Sequence, residues 1–297
     1  MEETRKSKKG LIIGVVILLI FAAAYVFVLS AFKKEGENRA AVLSPSEKIS
    51  NDRIDASGRI VTADPVKGDI SIRLSFTPHG SLLSADGVTL SRDLVFDVSS
   101  ATGKHAYEFK KGKRMDPVEV IVELFDGEPM EYPFDKHEAQ LSFYFDPAGA
   151  AAAEGDNSIP VGIQLYGSVS GLRIDTDYDK EHKDDHVVIN ISLCRAPTAI
   201  FFSVFIMAAM WALALGVIFL VFRVVAGHRK IEVSMFSFLG ALLFAFPALR
   251  NSQPGTPPIG TLSDFLAFFW AEVIVAMSLL AVVLTWLIRG AGGDKQK

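Results

Sequence analysis

Apolar residues in this chain are gathered into blocks. Leu11–Phe32 runs for 22 residues without a charge, Thr198–Phe222 for 25, and Val233–Leu249 for 17 with Pro247 inside it. Phe265–Ile288 runs for 24, interrupted by Glu272. About 20 apolar residues cross the hydrocarbon core of a bilayer, so three blocks are long enough alone. The block at 233–249 is long enough when taken as 231–250, with its flanking residues snorkelling. The pattern predicts transmembrane helices at 11–32, 197–223, 231–250 and 264–288. A signal-peptide core is usually about 7–15 residues, so the longer first block is expected to stay as an anchor. Ala22-Ala23-Ala24 and Leu29-Ser30-Ala31 nevertheless offer the small residues a cleavage site uses.

Between the first and second blocks the period changes to two. In "DISIRLSF", Ile70, Ile72, Leu74 and Phe76 share one face, and Ser71, Arg73 and Ser75 the other, which is a half-buried strand. Asp64-Pro65 and Lys67-Gly68 separate it from a preceding strand as a hairpin turn would. "LVFDVSSATGKHAYEFKKG" reads as a second hairpin turning at 101–104. "VEVIVELFDG", "AQLSFYFD", "IPVGIQLYGSVSGLRI" and "HVVINISL" supply further strands, and a short helix is conceivable over 148–154. About eight strands with turn signals between them predict an antiparallel β-sandwich over 53–195, after a polar linker at 33–52. The fold class expected is a mixed membrane protein, with one helix before the sandwich and three after it. Residues 1–10 and 289–297 form basic tails, and 251–263 a Pro/Gly loop.

Charge orients this layout. Arg5, Lys6, Lys8 and Lys9 precede the first helix, Arg223, Arg229 and Lys230 join the second to the third, and Arg289, Lys295 and Lys297 follow the fourth. Four spans place these segments on one side, which the positive-inside rule makes cytoplasmic. The segment 33–196 carries 19 Lys and Arg against 28 Asp and Glu, a net of −9, and is expected outside. An acidic exterior argues against nucleic acid as a partner. The lone cysteine, Cys194, excludes an intrachain disulfide and reads as a small buried hydrophobe.

Candidate chemistry is sparse. Pro254, Pro257 and Pro258 stiffen the loop before the last helix, and Gly255 and Gly260 permit positive φ. The loop lacks the Gly-Lys-Ser/Thr of a phosphate loop and is expected to seat the β domain. Thr261–Asp264 reads as a capping box. Glu272 lies eight residues past Asp264, roughly 12 Å along the helix. Insertion there costs about 2.5–3.5 kcal/mol, which makes such a carboxylate a functional candidate by default. Arg250 is the nearest partner in sequence. A structural anchor, paired with Arg250 or with Ser and backbone groups, is the expected role, with a protonatable transport relay as the alternative. Ala208, Ala212 and Gly216 form a small-residue ridge, expected to pack within the chain, with self-association as the alternative. Pro197 suits a helix first turn, and Arg195 is expected at headgroup level, facing lipid phosphate. Asp175, Asp177 and Asp179 have calcium-loop spacing, but Lys180 stands where glycine is needed and His186 where the bidentate Glu belongs, so no metal is expected. The histidines are scattered and no nucleophile sits beside a base, so neither catalysis nor a cofactor is expected.

Four motifs, "DPVKGDISIRLSFTPHG", "KKGKRMDPVEV", "YPFDKHEA" and "LRNSQPGTPPIGTLSDFLAFFWAE", together resemble the bacterial membrane-protein family named domain of unknown function 4436, from the first strand to the end of the last helix. The resemblance implies one anchor, an outer domain and three further helices, and carries no activity or catalytic residue. "YPFDKHEAQLSFYF" also resembles the Phe-Pro-x-Asp loop of pentameric ligand-gated channels, which join a sandwich to a helix through a short basic-Pro link, here Arg195-Ala196-Pro197. Those channels place every helix after the sandwich, so this likeness is one of fold, and such likenesses transfer function badly. The function expected is that of a non-enzymatic interaction or envelope-scaffold protein of the plasma membrane. Its partners are the lipid bilayer and a protein or second copy, and the alternative is a channel or transporter subunit using Glu272.

Overall fold

The computed structural model describes residues 2–37, 51–101, 105–148, 159–178, 186–227 and 229–293. The short helix considered at 148–154, the turn at 102–104 and most of the Asp-rich turn fall outside them. Among the described residues there are four long helices: α1 (Glu2–Glu37), α2 (Pro197–Val225), α3 (Val233–Asn251) and α4, whose first turn Asp264–Phe268 is π-helical before it continues as Phe269–Gly293. Helix α1 runs on at both ends beyond the 11–32 expected. It therefore takes up the start of the segment assigned to a linker.

Among the described residues nine strands lie between α1 and α2: β1 (Ile54–Asp64), β2 (Asp69–Pro78), β3 (Leu94–Val98), β4 (Ala106–Phe109), β5 (Val118–Asp126), β6 (Lys136–Pro147), β7 (Val161–Gly167), β8 (Leu172–Tyr178) and β9 (His186–Arg195). They form one continuous open sheet in the order β4-β3-β6-β5-β2-β1-β7, with β9 on the other edge of β6 and β8 beside β9. The expectation of an all-antiparallel domain is corrected, because β1 and β7 run parallel from Ile54 beside Val161 to Ile60 beside Gly167. Hairpin rules govern neighbours in sequence; β7 reaches β1 from about a hundred residues away and has no turn to fix its direction.

The predicted hairpins form. Asp64 Oδ1 accepts from the amides of Val66 and Lys67, Gly68 N donates to Asp64 O at 2.9 Å, and Gly68 has φ +76°. Alternation does the rest. Ile70, Ile72, Leu74 and Phe76 are buried, as are Ile189, Ile191 and Leu193 on β9. Their faces, with those of β1, β3, β5 and β6, merge into one core that includes Phe76, Phe96, Phe143 and Phe145. Phe76 meets Phe145 edge-on with ring centroids 5.1 Å apart, the geometry aromatic quadrupoles favour.

Helices α2, α3 and α4 are long and apolar enough to cross a membrane. A second apolar core joins them, built from Ile206, Met210, Val217, Leu239, Phe246, Ala271 and Val275 among others. At the end of the bundle away from the sheet, Arg289 donates to the carbonyls of Val224 and Val225 at 3.1 and 3.0 Å, closing the C-terminus of α2. Helix α1 touches α2 through Phe27 and Phe201.

One backbone position controls the loop between β5 and β6. Gly127 has φ +110°, and a Cβ there would run into the carbonyl oxygen of Lys136. Gly127→Ala is expected to cost about 1–3 kcal/mol in strain alone, and more from the clash. Gly68→Ala, whose Cβ would meet nothing within 4 Å, is expected to cost only about 1–2 kcal/mol. Thermal unfolding of the two purified variants side by side checks this ordering.

Candidate functional site: the junction of sheet and helices

Strand β9 ends at Arg195 and α2 begins at Pro197, as the Pro rule predicts. One residue, Ala196, separates them, and its amide donates to Gly171 O at 3.0 Å. With so short a link, Arg195 cannot swing out to lipid. Its guanidinium pairs with Asp135, beside it at the head of the neighbouring strand β6. Nε lies 2.9 and 3.0 Å from the two carboxylate oxygens, and Nη2 lies 2.8 Å from Oδ2. Both side chains are buried, at 8% and 0% exposure. The expected pairing of Arg195 with lipid phosphate is therefore corrected: a protein carboxylate takes the same bidentate fork.

Two further groups fix the pair. His137 Nε2 lies 2.9 Å from Asp135 Oδ2 and is itself buried. Asp135 and His137 are two apart at the start of β6, so they share a face. Arg195 also stacks over the Tyr132 ring, 4.8 Å from its centroid. Burial alone would raise the Asp135 carboxyl, but hydrogen bonds from His137 and Arg195 and the Arg195 charge outweigh it, holding it below the usual carboxylate range. Burial raises the Tyr132 phenol, which stays a hydrogen-bond donor. Its hydroxyl lies 2.6 Å from Ser203 Oγ on α2 and donates to Pro254 O at 2.9 Å.

The Pro/Gly loop closes the junction from the other side. Arg250, at the end of α3, forms a bidentate pair with Asp264 at the start of α4, Nε to Oδ1 at 2.8 Å and Nη2 to Oδ2 at 2.9 Å. It also donates to Pro257 O at 2.9 Å and to Pro258 O. Asp264 accepts in addition from the amides of Gly260 and Thr261 at 2.8 and 3.3 Å. Only this half of the expected capping box forms, because Thr261 Oγ1 pairs with Ser263 Oγ at 3.0 Å. Ser263 Oγ donates to Gln253, and Ser263 N donates to Tyr132 O at 3.2 Å. Gly255 presses on Arg195: a Cβ there would lie 3.0 Å from Nη1. Every residue singled out in this loop thus frames the two arginines.

Glu272 is not part of this network. The expected Arg250–Glu272 pair is corrected, since Asp264 is nearer and already fills the guanidinium fork. Glu272 Oε2 is buried without a hydrogen-bond partner among the described residues. The ridge of Ala208, Ala212 and Gly216 is corrected as well: it lies on the exposed side of α2, and nothing stands within 4 Å of a Cβ built on Gly216. Intrachain packing uses the opposite stripe, Ile206, Met210, Ala214 and Val217. The π-helical turn of α4 presents Leu266 O to Trp211 Nε1 at 2.9 Å, a second tie between α2 and α4. Among the described residues no group of three or more His, Cys, Asp or Glu could hold a metal ion.

Tyr132, Asp135 and His137 lie in the motif YPFDKHEA, and Gln253 and Ser263 in the Pro/Gly-loop motif, but neither these nor Ser203 received an individual role from sequence. The Asp-x-His spacing at the head of a predicted strand was the available signal. Its partner Arg195 lies 60 residues away, beyond any local pattern.

Asp135→Asn leaves Arg195 buried without its counter-charge, and is expected to destabilise the fold by about 3–5 kcal/mol near neutral pH. The native carboxyl titrates below its unfolded value, so its contribution is whole above about pH 4 and is lost as pH falls through the native value. The variant should lack that part of the acid sensitivity. Unfolding of both proteins across this pH range measures both effects.

No curated protein matches the chain. Two family models match, and they divide it at this junction. Residues 195–289 match Domain of unknown function (DUF8686), so the expectation that one family ran from the first strand to the last helix is corrected: the motif in the Pro/Gly loop falls in this second match. Residues 45–191 match Domain of unknown function (DUF4436), and the β-rich part of this chain is a domain of that family.

Proposed function

We propose that this is a four-span protein of the cell membrane, with both termini cytoplasmic and its β domain outside, folded over as a sandwich. Its role is that of a non-enzymatic interaction or envelope-scaffold protein. The observation that carries this reading is the junction. Two buried bidentate Arg–Asp pairs and the Tyr132 hydroxyl tie sheet, helices and loop together, so a partner bound on the β domain is held against the bundle with no hinge between them. The arrangement offers polar groups paired to one another, not aimed into a cleft.

Membrane placement is supported by the outward side chains of the helices. Phe219, Phe222, Phe244 and Trp270 are all more than half exposed, a surface suited to lipid and costly in water. The outward ridge of Ala208, Ala212 and Gly216 suits close approach of a second copy. The second reading, a channel or transporter subunit, is favoured by one observation, the unpartnered Glu272 carboxylate oxygen.

External protease on intact cells is expected to cut the β domain and spare tags at either end. Gentle solubilisation should retain a protein partner or a second copy. A tag reached from outside, or a chain that always elutes alone, counts against the scaffold reading. Glu272→Gln is expected to leave proton and ion flux in liposomes unchanged; a flux present in the parent and lost in the variant would favour the second reading.

A further inference from the structure

We infer that a groove between α1, α2 and the loop joining β7 to β8 is a binding site for one anionic phospholipid of the leaflet beneath the β domain. The inference rests on the membrane reading above. The groove has a volume of about 1180 Å³, larger than the roughly 300–1,000 Å³ usual for small-molecule pockets. Its lining is graded along α1, from Phe27 to Lys34, and Phe201, Phe202, Ser170 and Arg173 line it as well.

Depth explains the gradient. Counting back about 20 residues from Arg223 covers roughly 30 Å of α2, the thickness of the hydrocarbon core. The count ends near Ser203. Phe201 and Phe202, within a turn of Ser203, then stand at the edge of the hydrocarbon core, and Pro197 and the loop joining β7 to β8 stand in the headgroup layer. Lys34 lies about 10 Å further along α1 than Phe27, on the watery side. An amphiphile with a polar head and apolar tails meets matching chemistry at both levels.

Charge selects the head. The segment 33–196 is strongly acidic, yet two cations stand at this groove. The Arg173 guanidinium is held by Asp175 at 2.9 and 2.6 Å, which fixes it in place and largely neutralises it. Lys34 is exposed and forms no ion pair among the described residues. It is the group positioned to meet a phosphate, while Ser170 supplies a hydroxyl. A zwitterionic head would bring its own cation toward Lys34 and gain less.

The test uses the full chain inserted in vesicles of equal phosphatidylglycerol and phosphatidylcholine, then released in mild detergent for native mass spectrometry. One phosphatidylglycerol should be retained in preference to phosphatidylcholine. Lys34→Glu reverses the charge, a change of two units at about 1 kcal/mol each near an anionic surface, and should weaken that retention roughly thirtyfold. Ser170→Trp fills the groove from an exposed loop position and should displace the lipid altogether. Equal retention of the two lipids, retention unchanged by Lys34→Glu, or a second copy in place of lipid would overturn the inference. Insertion with no lipid retained overturns the groove alone. A chain that does not enter vesicles overturns the membrane reading as well.

Discussion

The structure depends on two arginines that have given up water. A buried guanidinium or carboxylate loses several kcal/mol of hydration, and recovers it only with good geometry and full hydrogen bonding. Arg195 and Asp135 meet that condition through a bidentate fork with His137 on the same carboxylate. Arg250 and Asp264 meet it through a fork, two proline carbonyls and two backbone amides. Each pair tolerates little displacement, because any movement uncovers a charge with no solvent to receive it.

That intolerance turns a covalent join into a mechanical one. Strand β9 already leads into α2 through one residue, but a single link could still pivot. The pivot is closed because Asp135, at the head of the neighbouring strand β6, holds Arg195, and because Tyr132, three residues before it, reaches down to Ser203 and Pro254. The boundary between the two family matches falls just before Arg195. Asp135 and Arg195 therefore lie in different matched regions, and the salt bridge crosses the seam between them. The two regions matched by different family models share one buried polar network.

The same economy accounts for what is left outside it. With Arg250 committed to Asp264, Glu272 keeps an oxygen that has no hydrogen-bond partner among the described residues. With α2 packed on α4 through Met210 and Ala214, its small-residue ridge faces outward. These are the places where a proton, a lipid or another copy of the chain has something to gain, because the chain itself leaves them unsatisfied.

Period and block length determined the helices α2 to α4, the hairpins and most of the buried positions, because these follow from interactions between residues close in sequence and from the partition of side chains between water and oil. The Pro197 start of α2 and the turn at Gly68 were legible for the same reason: backbone φ is a local property. The direction of β7 against β1, the partners of Arg195 and Arg250, the isolation of Glu272 and the outward turn of the Ala208 ridge were not. Each is a competition between groups far apart in the chain, or which helix face meets which neighbour, and is decided by which arrangement leaves the fewest buried charges and polar groups unpaired. Local sequence records what a residue needs; only the packed chain decides which neighbour supplies it.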